Sequence, residues 1–174
     1  MVSFPTLETE RLLLRPFRLD DYDAYSEMCS DPEVMLYLAG LPLTRAESWR
    51  HMAFILGHWQ LRGYGMWAVE EKATGVFAGR LGFNDPEGWP AFELGWTLAR
   101  RYWGRGYATE GARAALAHAF TVLGKDHVIS LILPGNQRSI SVAERLGERL
   151  EGRTQVMGKE CLVYGIGREA WAAA

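Results

Sequence analysis

The chain has 174 residues, of which 48% are hydrophobic and 23% are charged, and its formal net charge is -2 at pH 7. This composition is typical of a folded globular protein and argues against a disordered chain or a strongly basic nucleic-acid clamp. Cys29 and Cys161 lie far apart without any Cys-x-x-Cys spacing, so neither a disulfide framework nor a zinc site is suggested. No basic leader and no apolar run of about 18 residues is present, so we expect a cytoplasmic protein that is not membrane-embedded.

Strands and helices alternate along what we predict to be a single domain, residues 1–174. In chain order, the predicted elements are a strand at 11–17, helices at 20–28 and 45–60, strands at 65–70, 75–83 and 91–98, a helix at 107–123, a strand at 127–133, a helix at 138–146 and strands at 151–156 and 160–166. Short turns separate the strands between 65 and 98, so these strands are expected to be antiparallel neighbours. The pattern predicts an α/β fold with a mixed, mostly antiparallel sheet of about six to seven strands and about four helices.

The stretch 93–110 reads as a strand, a glycine-containing loop and the start of a helix. Gly104 and Gly106 remove two side chains where the backbone turns into the helix, which leaves N–H groups pointing outward at the positive end of the helix dipole. Arg100, Arg101 and Arg105 add positive charge in a chain that is slightly acidic overall. The loop is predicted to bind phosphate, although two glycines could also serve only a tight turn.

Two familiar phosphate loops do not fit this stretch. The Gly-x4-Gly-Lys-Ser/Thr pattern is absent, and Thr109 stands where a dinucleotide fingerprint needs Gly or Ala. The pattern Arg101-x-x-Gly104-x-Gly106 instead resembles the pyrophosphate loop of the GNAT acetyltransferase superfamily. Further segments resemble its Rim-type (RimJ/RimL-like) ribosomal-protein N-terminal acetyltransferase branch, namely 9–15, 31–35, 93–96, 102–110, 136–139 and 144–147. Glu148 departs from that branch, which usually has an aromatic residue there.

The resemblance implies a GNAT-like domain whose sheet is splayed between the fourth and fifth predicted strands, with acetyl-CoA as co-substrate and no metal. Pantetheine would lie along the backbone of Trp96, Thr97 and Leu98. The pyrophosphate would bind the loop and helix start, where the implied residues are Arg101, Gly104, Arg105, Gly106, Tyr107, Ala108 and Thr109. The side chain of Asn136 would hydrogen-bond the cofactor, and Ser139, one helical turn later, would approach the sulfur.

The reaction that the resemblance implies is direct attack of a neutral amine on the acetyl thioester, without an acyl-enzyme. An amine with a lysine-like pKa is mostly protonated at pH 7, so a base, or a water held by one, is needed. Glu93 is the candidate base because Glu93, Gly95 and Thr97 share one face of an alternating strand, so that Glu93 could face the cleft while its neighbours pack on the other face. Ser139 is the candidate donor to the departing thiolate, and a backbone N–H between residues 94 and 96 could stabilise the carbonyl oxygen. The alternatives are structural: cross-strand contacts for Glu93, a turn for Asn136 and a helix cap for Ser139.

The acceptor amine stays open between a protein N-terminus and a small molecule, because a fold does not settle its substrate. A second hypothesis is a non-catalytic acyl-CoA-binding or sensing module, and a third is a nucleotide-binding module that uses residues 100–109 for another phosphate ligand. We expect no nucleic-acid or membrane partner and, from the family resemblance, a possible homodimer. The four histidines, at positions 51, 58, 118 and 127, lack metal-ligand spacing.

Overall fold

The computed structural model describes residues 4–38 and 40–173. Its strands are β1 (Leu7–Glu8), β2 (Leu12–Arg15), β3 (Met66–Glu71), β4 (Val76–Asn84), β5 (Glu93–Leu98), β6 (His127–Ile132), β7 (Arg149–Val156) and β8 (Lys159–Gly167). Its α-helices are α1 (Tyr22–Ser30), α2 (Pro32–Met35), α3 (Arg45–Arg62), α4 (Tyr107–Thr121), α5 (Gln137–Leu146) and α6 (Arg168–Ala172). Short 3-10 turns occupy Leu19–Asp21 and Arg100–Tyr102. No helix within the described ranges has the length and apolar character needed to cross a membrane.

All eight strands form one sheet in the order β1-β2-β3-β4-β5-β6-β8-β7. Neighbouring strands are antiparallel except β5 and β6, which are parallel and share a single registered pair, Glu93 with Ile129. Beyond that pair the two strands separate. The predicted mixed α/β sheet is therefore confirmed. The strands that separate are the fourth and fifth predicted strands, β5 and β6 here, and we call the place where they diverge the parting of the sheet.

The unpredicted elements are short. The strand β1 has two residues, and α2 and α6 have four and five, so none is long enough to give a periodic pattern. The first predicted strand is shorter than expected: β2 ends at Arg15 because Pro16 has no N–H to continue the ladder. Asp31 starts α2 by accepting a hydrogen bond from the Glu33 N–H, with proline at the first helical position.

The helix α4 packs closely against one face of the sheet. Gly111 permits the approach, because a Cβ built there would lie 3.0 Å from Leu81 and 3.6 Å from both Leu12 and Leu14. The apolar side of α4 is buried along its length, as the predicted spacing requires. Since α4 begins at Tyr107, this packing also fixes the position of the glycine loop that precedes it.

A buried ion pair joins β2 to the 3-10 turn at Leu19–Asp21. The Arg15 guanidinium donates to both carboxylate oxygens of Asp21, at 2.8 and 2.7 Å, and to Glu70 at 2.6 Å. Arg15 and Asp21 are both almost fully buried, so each charge depends on the other for compensation. The pair anchors the 3-10 turn that leads into α1, on the sheet face where α1 and α3 pack together.

The close pairing of β4 and β5 predicts a large effect of adding one methyl group. A Cβ at Gly79 would lie 2.3 Å from the Thr97 carbonyl oxygen and 2.7 Å from the Leu98 Cα, which are backbone atoms that cannot move independently. We expect Gly79→Ala to lower the free energy of unfolding by more than about 2 kcal/mol in urea titrations. Gly57→Ala is the control, since nothing lies within 4 Å of its Cβ and a helix interior favours alanine by about 1 kcal/mol. Equal stabilities of the two variants would contradict this account.

Candidate active site

A cavity of about 1230 Å³ opens beside the parting of the sheet. Four stretches of chain line it: α2 and the residues after it, the end of β5, the loop and first turn of α4, and the start and middle of α5. These stretches come from distant parts of the sequence and meet where β5 has no neighbour on its β6 side. A groove of this size suits an extended ligand.

The structure brings most of the predicted site residues to this cavity. Ten of the twelve residues predicted to contact the cofactor line it, namely Trp96, Thr97, Leu98, Gly104, Gly106, Tyr107, Ala108, Thr109, Asn136 and Ser139. They converge from β5, the glycine loop, the start of α4 and the start of α5. The structure therefore brings these four segments together around one cavity.

The other two predicted residues, Arg101 and Arg105, are not among the described lining residues. Both guanidinium groups lie over the Tyr102 ring, at 5.3 and 5.4 Å from its centroid. Arg101 is 3.8 Å from the Glu27 carboxylate, and Arg105 is 3.4 Å from that of Glu71. Their predicted role rested on the loop motif alone, and in the structure their side chains are directed to neighbouring carboxylates and an aromatic ring.

Arg100, the third cation of the loop, is also paired. Its guanidinium lies 3.1 Å from Asp31 and 2.7 Å from Glu33, so it ties the turn after β5 to α2. The positive field that the sequence predicts at this loop is thus largely compensated by acidic residues of α1, α2 and β3. An anion at the loop would depend mainly on backbone groups.

The backbone of the glycine loop offers such groups. Gly104 and Gly106 adopt the left-handed conformation, with φ of 73° and 79°, and α4 begins without any side-chain cap. Glu110 is the first residue of α4 whose N–H bonds back to the Gly106 carbonyl. Within the described residues, the N–H groups of Tyr107, Ala108 and Thr109 have no hydrogen-bond acceptor. Free N–H groups at the positive end of a helix dipole are suited to phosphate oxygens.

Two lining arginines were not predicted from the sequence. Arg138 and Arg145 lie on α5, and the Arg138 guanidinium stacks 4.3 Å from the centre of the Trp103 ring. They are seven residues apart, which is two helical turns, so their spacing alone places both on one face of the helix. That spacing was the signal in the sequence, and these arginines supply positive charge to the cavity.

Asn136 starts α5 as its N-cap. Its Oδ1 accepts a hydrogen bond from the Ser139 N–H at 3.3 Å, which is the structural alternative considered for an asparagine at this position. The Nδ2 amide group remains as the donor that Asn136 could offer a ligand. The Ser139 hydroxyl lines the cavity and makes no hydrogen bond to any other described side chain or backbone group.

Glu93 lies at the inner end of the parting, with 9% of its surface exposed. Its carboxylate accepts hydrogen bonds from Trp89 Nε1 at 2.8 Å and from Asn84 Nδ2 at 3.3 Å. Burial raises the pKa of Glu93 above its usual range, and the two hydrogen bonds only partly oppose the rise. A Cβ at Gly95 would lie 3.9 Å from Glu93 Oε1, so these residues share a face as predicted. Glu93 is not among the described residues that line the cavity.

Side chains replace backbone pairing where β5 and β6 part. The Ile129 N–H donates to the Phe92 carbonyl, and a regular parallel ladder would next pair the Leu131 N–H with the Leu94 carbonyl. Instead, Ser130 Oγ donates to the Leu94 carbonyl at 2.9 Å. The Leu131 N–H faces the Glu93 carboxylate and opposes the rise in its pKa. The Leu94 carbonyl is therefore satisfied without closing the sheet.

A second carboxyl group, Glu148, is buried at the same place. It is 3% exposed, its Oε1 lies 3.0 Å from Ser130 Oγ, and its Oε2 has no hydrogen-bond partner in the described structure. Burial raises the pKa of Glu148 to about 8, against the opposing hydrogen bond with Ser130, and the charges of Glu151 and Glu93 raise it further. Glu148 is therefore mainly a neutral carboxylic acid at pH 7.

Comparison with known proteins agrees with this geometry. The family profile described as "Acetyltransferase (GNAT) domain" matches residues 11–149. The chain is similar to the uncharacterized N-acetyltransferase p20 of Bacillus licheniformis, with 34% identity over 150 residues that cover 84% of each protein. It is also similar to the crystal structure of an acetyltransferase from Agrobacterium tumefaciens str. C58, with a TM-score of 0.85, 34% identity, and coverage of 94% of this chain and 95% of that one.

The chain therefore belongs to the GNAT acetyltransferase family and is an acetyl-CoA-dependent acetyltransferase. Its fold is shared with the ribosomal L7/L12 α-N-protein acetyltransferase RimL in complex with coenzyme A, at a TM-score of 0.79 and 21% identity over 95% of this chain and 99% of that one. The predicted family and enzyme class are thus confirmed. Among the described residues, no group of three or more His, Cys, Asp or Glu side chains is arranged to hold a metal ion.

The burial of Glu148 predicts a pH-dependent stability. Its folded pKa of about 8 exceeds its ordinary value of 4.5, so the folded protein holds the proton more tightly than the unfolded chain does. The contribution of Glu148 is greatest below about pH 4.5 and is lost as the pH rises to about 8. Relative to wild type, the free energy of unfolding of Glu148→Gln should rise by a few kcal/mol between about pH 4.5 and about pH 8, at about 1.4 kcal/mol per pH unit. Above about pH 8 the difference between the two proteins should stay constant.

Urea unfolding at half-unit pH intervals measures this difference. Glu151→Gln is the matched control, because Glu151 is a second carboxyl group only three residues further along the chain but is well exposed, at 41% of its side chain. It should change the stability little across the same pH range. Parallel curves for wild type and Glu148→Gln would show that Glu148 is ionised in the folded protein, contrary to this prediction.

Proposed function

We propose that the chain is an N-acetyltransferase that moves the acetyl group of acetyl-CoA directly to a primary amine, either a protein N-terminus or a small molecule. The observation that carries this proposal is the single cavity that joins the free N–H groups at the start of α4 to the open edge of β5. One end can bind a pyrophosphate and the other can pair with the amides of pantetheine. We also propose that residues 1–174 act as one catalytic domain.

Acetyl-CoA would lie along the groove in an extended conformation. The backbone of Trp96, Thr97 and Leu98 pairs with β4 on one side and has no β6 partner on the other, so it is available to the pantetheine amides. The pyrophosphate would accept hydrogen bonds from the N–H groups between Gly104 and Thr109. Arg138 and Arg145 line the same groove and would offset the remaining phosphate charge.

The chemical step requires an uncharged amine. Its lone pair attacks the thioester carbonyl carbon, the C–S bond breaks, and the proton lost by nitrogen must leave while the CoA sulfur gains one. Glu93 is the proposed base. Because its carboxylate is buried beside the cavity and bonded to Trp89 and Asn84, a water between it and the amine would carry the proton. Ser139, whose hydroxyl faces no described acceptor, is the proposed donor to the thiolate.

One observation favours the rival hypothesis of an acyl-CoA sensing module. Glu93 does not line the cavity among the described residues, and a module that only binds acyl-CoA would need no base there. The two hypotheses differ in one measurable respect, since a sensing module binds acetyl-CoA but releases no CoA with any amine. Its binding would also be insensitive to the Glu93 and Ser139 side chains.

Thiol release from acetyl-CoA across peptide N-termini, polyamines, amino acids and aminoglycosides tests the proposed activity. We expect selective release with one acceptor class, because the groove must fit the amine as well as the cofactor. Glu93→Gln should lower kcat at least about a hundredfold, as expected for loss of a general base. Ser139→Ala should lower it less, since water can protonate a thiolate. Tight acetyl-CoA binding without any turnover would instead support the sensing module.

Two glycine substitutions test the phosphate site separately from the chemistry. Gly104 and Gly124 both have positive φ, 73° and 67°, and nothing lies within 4 Å of a Cβ at either position, so alanine should strain both backbones alike. Only Gly104 lines the cavity. We expect similar small losses of stability for Gly104→Ala and Gly124→Ala, but about tenfold weaker CoA binding only for Gly104→Ala in calorimetric titrations. Equal affinities of the two variants would argue against a phosphate site in this loop.

A further inference from the structure

Glu148 has no part in the reaction proposed above, yet it occupies a central position. It follows Gly147, which ends α5, and its backbone N–H bonds to the Ala143 carbonyl. Its side chain turns inward to Ser130 on β6. On β6, Ser130 and Ile132 share one face, and Ile132 packs with Ala143 of α5. Glu93 and Ile129 belong to the opposite face of the sheet. Two buried carboxyl groups therefore approach the parting from opposite sides of the sheet.

The Ser130 hydroxyl has two oxygen neighbours but only one hydrogen to donate. Its oxygen lies within hydrogen-bond distance of both, the Leu94 carbonyl at 2.9 Å and Glu148 Oε1 at 3.0 Å. The Leu94 carbonyl can only accept. Both contacts become hydrogen bonds if Glu148 is protonated and donates to Ser130, which donates to Leu94. The unpartnered Glu148 Oε2 agrees, because a neutral carboxyl group tolerates a bare oxygen in the interior better than a carboxylate does.

This chain of hydrogen bonds ends on the atom that decides whether the sheet closes. The Leu94 carbonyl is the acceptor that the Leu131 N–H would need to extend the β5–β6 ladder by one step. Because Ser130 Oγ donates to this carbonyl and the Leu131 N–H does not, Ser130 and not the ladder sets its orientation. The residues that follow on β5, from Trp96 onward, line the cavity. The bond to Ser130 therefore lies at the inner end of the groove.

We propose that Glu148, in its protonated form, is a positioning residue: through Ser130 it fixes the Leu94 carbonyl and holds β5 and β6 apart where CoA binds. The inference rests on the proposed function in one respect, namely that CoA lies in this groove. Loss of the proton turns Glu148 into an acceptor that competes for the single Ser130 hydrogen. The Leu94 carbonyl then loses its Ser130 donor, and the Leu131 N–H, which now faces Glu93, is the donor that can replace it, so that the groove narrows.

The charges around Glu148 favour the protonated form. Glu93 of β5 and Glu151 of β7 are the negative groups whose fields reach it, and both oppose its ionisation. His127 of β6 lies 2.8 Å from Glu151, on the side of the sheet away from Ser130, so a proton on His127 would weaken only the effect of Glu151. Among these groups, only Ser130 lies within hydrogen-bond distance of the Glu148 side chain, and its single hydrogen is donated to the Leu94 carbonyl. A carboxylate at Glu148 would therefore be buried without a donor of its own.

Binding of a CoA thioether with an S-alkyl group, followed by calorimetry from pH 6.5 to 9.5, tests the inference. This probe has no titrating thiol and no reactive acyl group, so its affinity reports the groove alone. Wild type should bind about tenfold more weakly at pH 9.5 than at pH 7, the effect of one lost hydrogen bond. Glu148→Gln keeps an N–H donor for Ser130 without a titrating proton, so it should match wild type at pH 7 and hold that affinity to pH 9.5.

Ser130→Ala and Glu151→Gln complete the design. Ser130→Ala removes the bond to Leu94 and should show the weak affinity at every pH, whereas Glu151→Gln should keep the wild-type pH dependence with its midpoint at slightly lower pH. A purely structural role of Glu148 would change unfolding midpoints but leave the wild-type and Glu148→Gln affinities parallel over pH, and that result overturns the inference. Should Ser130→Ala fail to fold, the comparison with Glu148→Gln decides alone. Absence of binding by wild type at any pH would instead overturn the proposed function.

Discussion

The arrangement of the site depends on one constraint, the early end of the parallel ladder between β5 and β6. The two strands register only at Glu93 and Ile129, so the β5 backbone beyond that pair keeps one side unpaired. Unpaired backbone inside a protein is costly unless other groups satisfy it. Here the Ser130 hydroxyl satisfies the Leu94 carbonyl, and the residues of β5 from Trp96 onward face the cavity. The same parting leaves room for the start of α4, with its free N–H groups, to face the open edge. A fully paired sheet would remove the groove altogether.

The parts of this site that could be predicted from the sequence are those set by local chemistry. Gly104 and Gly106 have to be glycine for reasons visible in a few neighbouring residues, and the amphipathic stretch after them predicts α4 without knowledge of the sheet. The alternation on β5 likewise predicts that Glu93 and Gly95 share a face. Each of these inferences needs only the residues next to it in the chain.

The remaining features depend on contacts between residues that are distant in sequence. Arg105 pairs with Glu71 across the fold, so a cation that looks available in the loop sequence is already compensated in the structure. Arg138 lies in a different helix from the loop yet lines the same cavity, because α5 packs beside α4. The burial of Glu148 has no local signature either, since its partner Ser130 belongs to a strand that precedes α5. Composition and spacing carry no information on such pairings.

Glu93 and Glu148 raise each other's cost of ionisation, so their different surroundings decide which one carries the charge. Glu93 receives hydrogen bonds from Trp89 and Asn84 and lies within the field of Arg80, all of which favour its ionised form. Glu148 has only Ser130 and one bare oxygen. Burial raises the pKa of both carboxyl groups, and the surroundings favour ionisation of Glu93 over that of Glu148. A base must be ionised to accept a proton and a hydrogen-bond donor must keep one, so the two proposed roles require the distribution that the surroundings favour.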